Sequence, residues 1–137
     1  MDRKNLTNDQ AKQRWCIDLE WYQQNNRSFL ALAQRCLCPK CREKSRGEIS
    51  AADLLTTIRD CCSKTPDFIT RESPILDSIF RLFLANRNQP LDLKELGNQL
   101  NELRGGDTYR TSPEIMSRLL KSDQFYGLRQ VQTQEKP

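Results

Sequence analysis

Histidine is absent from all 137 residues. Any zinc site made only of protein ligands must then be built from thiolates, with a carboxylate as the remaining option. The chain also lacks a nucleophile elbow, a phosphate loop and a paired-carboxylate constellation, so it offers none of the usual catalytic machinery and reads as a non-enzyme. No apolar run approaches the roughly 18 residues that a membrane helix needs. The opening stretch MDRKNLTNDQAKQRW has no apolar segment of the secretory type, so the chain is expected to be cytoplasmic, with no membrane partner. Aromatic residues are scarce at 7%, hydrophobic residues make up 36%, and the mean hydropathy is −0.77, so the core is small and each helix turns much of its surface to water.

What the chain has is charge and cysteine. Charged residues are 29%, and the net charge of +4 is mild. Its distribution is more telling. Residues 34–46 hold Arg35, Lys40, Arg42, Lys44 and Arg46 against Glu43 alone, whereas residues 73–137 hold nine basic and eight acidic residues. A dedicated duplex binder usually shows a clear basic face, and the second stretch barely has one.

Six cysteines stand at 16, 36, 38, 41, 61 and 62. In a reducing compartment such a cluster reads as metal binding before disulfides. Cys38-Pro39-Lys40-Cys41 has knuckle spacing: two intervening residues let both sulfurs face one ion. Zinc takes four ligands in a tetrahedron at about 2.3 Å, so a second pair is required. Cys61-Cys62 follows about 20 residues later, at the end of an expected helix. Adjacent helical residues point about 100° apart, so both can bind only if the helix unwinds there. Cys36 is the competing candidate. The expected order is Cys38 and Cys41, then Cys61, then either Cys36 or Cys62. A structural zinc is the leading cofactor, and an iron–sulfur cluster is the alternative. A third possibility has no metal, with Cys36, Cys61 and Cys62 as small core residues. Cys16, beside Trp15, is expected in the core. Lys40, Arg42 and Lys44 around the knuckle either touch phosphate or neutralise a four-thiolate centre.

Along the chain, residues 1–7 read as disordered and Asn8 or Asp9 as a helix cap. Trp15, Leu19 and Tyr22 recur at helical spacing. Ser28 caps a second helix that Pro39 stops, leaving Cys38 to Gly47 as loop. Ser50 to Asp53 resembles a capping box, opening a helix to about Ser63. Residues 67–73 read as a linker. Ser73 then caps a helix with Pro74 at its first position, with a stripe from Ile75 to Phe83. Leu91 falls in a very short strand. Leu93, Leu96, Leu100 and Leu103 mark the next helix, which Gly105-Gly106 closes. Ser112 and Pro113 open the last helix, with Ile115, Met116, Leu119 and Leu120 inward, and Phe125 to Arg129 has strand composition. The fold class is mainly α: a helical region with a cysteine-rich knuckle at 8–70, a domain at 73–131 with minimal β, and a polar tail at 132–137.

Three short helices followed by a β segment is the order of a winged helix. The stretches PILDSIFRLFLANRNQPLDLKEL, SPEIMSRLLKSD and FYGLR carry a resemblance to the HARE-HTH family and to the amino-terminal domain of RNA polymerase delta subunits. The N-terminal half resembles a cysteine-only zinc-knuckle module. The winged-helix likeness covers about 55 residues and departs from the family in one place: only Phe125 to Val131 is available for the wing, so its second strand is missing or very short. The resemblance implies that Pro113 to Ser122 is a recognition helix with Glu114, Ser117, Arg118 and Lys121 outward. Arg110 and Arg129 would then hold phosphates, which set register without reading sequence. Two functional classes follow. One is a small DNA-associated transcription regulator. The other is a non-catalytic subunit whose winged helix docks on a larger, transcription-type assembly. An iron–sulfur redox-sensing regulator is a further alternative. DNA, a protein partner and a second copy of the chain are the candidate partners.

Overall fold

The structure is a computed structural model, which describes residues 12–44, 50–106 and 111–131. It is mainly α with a small antiparallel sheet. In chain order, the described elements are β1 (Arg14–Ile17), α1 (Leu19–Gln24), α2 (Phe29–Gln34), α3 (Pro39–Lys44), α4 (Ala51–Asp60), a 3₁₀ turn (Cys62–Lys64), α5 (Ile75–Ala85), β2 (Leu91–Asp92), α6 (Leu93–Arg104), α7 (Pro113–Lys121) and β3 (Leu128–Gln130). The expected cap at Asn8 or Asp9, most of the loop at 107–111 and the tail at 132–137 lie outside the described residues.

The first expected helix is corrected at its start. Trp15 and Ile17 are buried while Arg14 is exposed and Cys16 half-buried, a period of two that belongs to a strand. Leu19, taken as part of a helical stripe, is 51% exposed. Helix α1 begins only after Asp18, whose carboxylate accepts from the Glu20 N–H. β1 is the middle strand of the order β2-β1-β3 and is antiparallel to both neighbours. Trp15 faces Leu91 on one side and Gln130 on the other, and Ile17 faces Leu128. The sheet thus takes its central strand from the stretch 8–70 and its edge strands from 73–131. The Asn88 side chain, on a backbone with φ of 57°, pins β1 further: it donates to the Ile17 carbonyl (2.9 Å) and accepts from the Ile17 N–H (2.8 Å).

Three other expectations are adjusted. Pro39 opens α3 rather than ending a helix into a loop: α2 has already stopped at Gln34, and proline's fixed φ suits a first helical position. Pro74 is the cap residue of α5 rather than its first helical residue, and Ser73 turns back to accept from the Thr70 N–H. β3 is confined to 128–130, because Phe125 and Tyr126 lie in a turn whose N–H groups both donate to the buried Asp123 carboxylate, as does the N–H of Leu128. The caps at Ser28, Ser50 and Ser112 form as expected. So does the left-handed Gly105 that closes α6.

Helix α5 is the hub. It packs on α4 on one side and on α6 and α7 on another, and it touches β1. Its Ile79, Phe80 and Phe83 are fully buried, and a single core cluster runs from Trp15 through Leu54 and Ile58 to Leu128. Gly127, at φ 67°, lies where a Cβ would come within 2.7 Å of Tyr22 and 2.8 Å of Trp21, so the turn before β3 is pressed onto α1.

Candidate metal centre

Three chain segments converge on the cysteine group. After α2 the chain turns through Cys36 and Leu37, and the Arg42 guanidinium fastens that turn by donating to the Leu37 carbonyl at 3.0 Å. Cys38 stands immediately before α3, and its carbonyl accepts from the Arg42 N–H at 2.8 Å. The third segment is the end of α4. The helix stops at Asp60, and Cys61 has φ −125° and ψ −62°, well away from helical values. The chain then tightens into a 3₁₀ turn at Cys62–Lys64, held by the Thr65 hydroxyl on the Cys62 carbonyl (2.9 Å).

That unwinding is what adjacent cysteines need in order to share a site. The Sγ atoms of Cys38, Cys41 and Cys62 lie within 4.8 Å of one another, and Cys61 Sγ is 3.4 Å from Cys41 Sγ. All six cysteines are free thiols. Sulfurs around one tetrahedral ion with bonds near 2.3 Å stand about 3.8 Å apart, so the group has the right size for a single ion. Cys41 and Cys62 are buried and Cys38 half-buried. The donor set is thiols alone, which suits a soft, thiophilic ion. Backbone N–H groups already point at the sulfurs. That of Cys38 donates to Cys62 Sγ at 3.2 Å.

The thiols are not equivalent. The Cys41 backbone N–H, reinforced by hydrogen bonds from the other thiols, holds Cys38 down at about 7. The hydrogen bond with Cys61, followed by burial, pushes Cys41 up to about 12. Burial raises Cys62. The thiols thus titrate as a coupled group, which must release protons to take up an ion.

Of the expected ligands, Cys38 and Cys41 come together with Cys62, whereas Cys61, expected ahead of Cys62, is outside that group of three. Cys61 sits beside Cys41. Cys36 stays outside the group: its thiol lies 4.0 Å from the Leu32 carbonyl, and burial pushes it up to about 11. Cys16 is half-buried on β1 against the core, and burial raises its thiol as well.

The candidate nucleic-acid residues are more scattered. Arg118 and Lys121 are exposed on α7 together with Glu114, while Ser117, expected outward, is 5% exposed and belongs to the inner face. Arg129 is engaged inside the molecule: its guanidinium lies 5.2 Å over the Trp21 ring and 3.6 Å from the Asp123 carboxylate. Lys40, Arg42 and Lys44 are exposed on α3. Arg110 lies outside the described residues. Sequence reasoning does not single out Asp123, because a buried carboxylate that organises a turn has no spacing signature. Among the described residues no helix is long and apolar enough to cross a membrane.

No family model matches this chain, and neither a curated protein nor a solved structure matches it.

Proposed function

We propose that the protein is a non-catalytic, DNA-associated regulator in which a structural zinc braces a winged helix. The observation that carries the zinc half is the break in α4 at Cys61, which turns two adjacent cysteines toward the Cys38–Cys41 knuckle. Cys38, Cys41 and Cys62 would hold the ion and Cys61 would complete the set. Four thiolates leave no open coordination position, so the ion would supply folding energy rather than reactivity. A single ion is favoured over an iron–sulfur cluster, because a cluster spreads its cysteines over separate irons and the sulfurs of Cys38, Cys41 and Cys62 are gathered around one point. Lys40, Arg42 and Lys44 stand close by in the chain and offset the negative charge of such a centre.

The winged-helix half rests on the order α5, β2, α6, α7, β3, with α7 burying Met116, Ser117 and Leu120 and exposing Arg118 and Lys121. In this reading β1 occupies the sheet position that a returning wing strand would fill, so contact falls to α7 rather than to a wing. The same feature supports a second reading, docking on a protein assembly, since a winged helix without a wing hairpin and with little net charge has less to offer duplex DNA.

A gel-shift series with mixed-sequence duplex at rising salt tests the choice. The DNA reading expects affinity to fall steeply with salt, as phosphate contacts release counterions, and to drop in Arg118→Glu/Lys121→Glu. Absence of a shift at low salt defeats it and leaves the docking reading.

A further inference from the structure

The surface beside the knuckle carries a feature that α7 does not use and that borders the metal centre, whose Cys38 and Cys61 line part of it. Two depressions meet at Arg35. One, of about 550 Å³, is bounded by Asn25, Asn26, Arg27 and Ser28 from the turn between α1 and α2, and by Phe125 from the far end of the chain. The other, of about 540 Å³, is bounded by Lys40 and Arg42 and floored in part by Phe68. Arg35 lines both, so the two adjoin at its side chain and together make a track along this face.

The track is basic. Arg27, Arg35, Lys40 and Arg42 are exposed along it, and Arg81 lines its second part, bonded to Asp77 at 3.0 Å. Among the described residues, Asp67 is the only acidic one lining either depression. It is also aromatic at one end. Phe125 is 39% exposed, and the Arg27 guanidinium is poised over its ring at 4.5 Å. The Asn25 side chain is tied to the Trp21 carbonyl, which fixes the rim of the first depression.

We propose that this track binds single-stranded nucleic acid, with phosphates along Arg27, Arg35, Lys40 and Arg42 and an unstacked base against Phe125. A row of cations in a concave channel with an exposed ring is the arrangement that follows a flexible backbone and stacks bases without reading sequence. Duplex DNA fits it poorly, because the major groove admits a protruding helix or ribbon and a duplex keeps its base faces covered. The proposal is independent of α7 and of duplex recognition.

The test is fluorescence anisotropy of the full chain with a labelled oligothymidylate of about 15 nucleotides at several salt concentrations. About four phosphate contacts on a single strand give a log–log salt slope near −3. Arg27→Glu/Arg35→Glu should weaken binding more than about 10-fold and flatten that slope by about half. Phe125→Ala should weaken it by about 5-fold or more, the loss of one stacked base. Arg118→Glu/Lys121→Glu on α7 should leave it within about 2-fold. Circular dichroism and metal content verify that each variant is folded, and Lys40→Glu, at an exposed position, provides a second charge reversal should the double variant fail to fold. The proposal is overturned if the wild type does not bind at low salt, if folded charge-reversal variants bind like the wild type, or if a duplex of equal length competes as well as the single strand.

Discussion

At Asn88 and Gly127, single residues carry structure that no neighbour can replace. Asn88 closes two hydrogen bonds to the backbone of Ile17 across 71 residues of sequence. Asn88→Ala removes both and leaves two strand groups to find other partners, a cost of about 2 kcal/mol, readable as a lower urea midpoint with an unchanged slope. Gly127→Ala asks for a positive φ and a methyl group where Trp21 and Tyr22 already stand, and should cost roughly 2–3 kcal/mol by the same measurement. The buried tyrosines make a pH prediction. Burial, followed by the charge of Asp123, raises Tyr22 well above its ordinary value, and burial with the charge of Asp77 lifts Tyr126 to about 12. Both phenols are therefore harder to ionise folded than unfolded. Their contribution is fully present below about 10 and is lost as the pH climbs toward 12. Absorbance at 295 nm should show these two tyrosines ionising only above the ordinary range, together with alkaline unfolding. Ionisation near 10 in a folded chain would refute this. At this scale the sequence was only partly legible. Knuckle spacing pointed to Cys38 and Cys41, and capping chemistry to Ser28, Ser50 and Ser112. Asn88 and Gly127 act through contacts 71 to 106 positions away, which nothing local marks, and Asp123 accepts from N–H groups two, three and five positions on, in a turn that carries no apolar period.

Among the elements, β1 has the largest consequence. Four residues, Arg14–Ile17, supply the middle of a sheet whose other strands come from the second half of the chain. A helical period read through Trp15 and Tyr22 is a coincidence of spacing across a strand–turn–helix junction: with only four residues, an alternating pattern gives two buried positions, too few to outweigh a three-residue helical match. Helices α4 to α7 were legible because each carries a long apolar stripe, with a serine cap at α4 and α7 and a closing glycine at α6, and their boundaries moved by only a few residues. The short α3 was hidden by Pro39, which stops one helix and can start another. The central position of β1 gives a testable consequence. A fragment beginning at Ser73 lacks the strand that pairs β2 and β3 and exposes the apolar faces of Leu93 and Leu128. Its amide NMR spectrum should be poorly dispersed, whereas a fragment from Lys12 to Val131 should give the dispersed spectrum of the full chain.

Across the whole molecule, the cysteine group and the core are complementary. The first half of the chain places Trp15, Trp21, Tyr22, Leu54 and Ile58 in the core, but its α1, α2 and α3 are only six residues long, too short to be stable alone. A thiolate-bound ion between α3 and the end of α4 would tie these short elements to α5, on which α4 packs. Chelation should therefore loosen α2, α3 and α4 and lower thermal stability, with Cys62→Ser reproducing the effect and Cys16→Ser not. The clearest test is the metal content of the purified wild-type chain, measured by native mass spectrometry and elemental analysis. One zinc per chain is expected, absent in Cys62→Ser. A protein that carries no metal while all six thiols titrate freely in the folded state, or one that carries iron and sulfide, would contradict it.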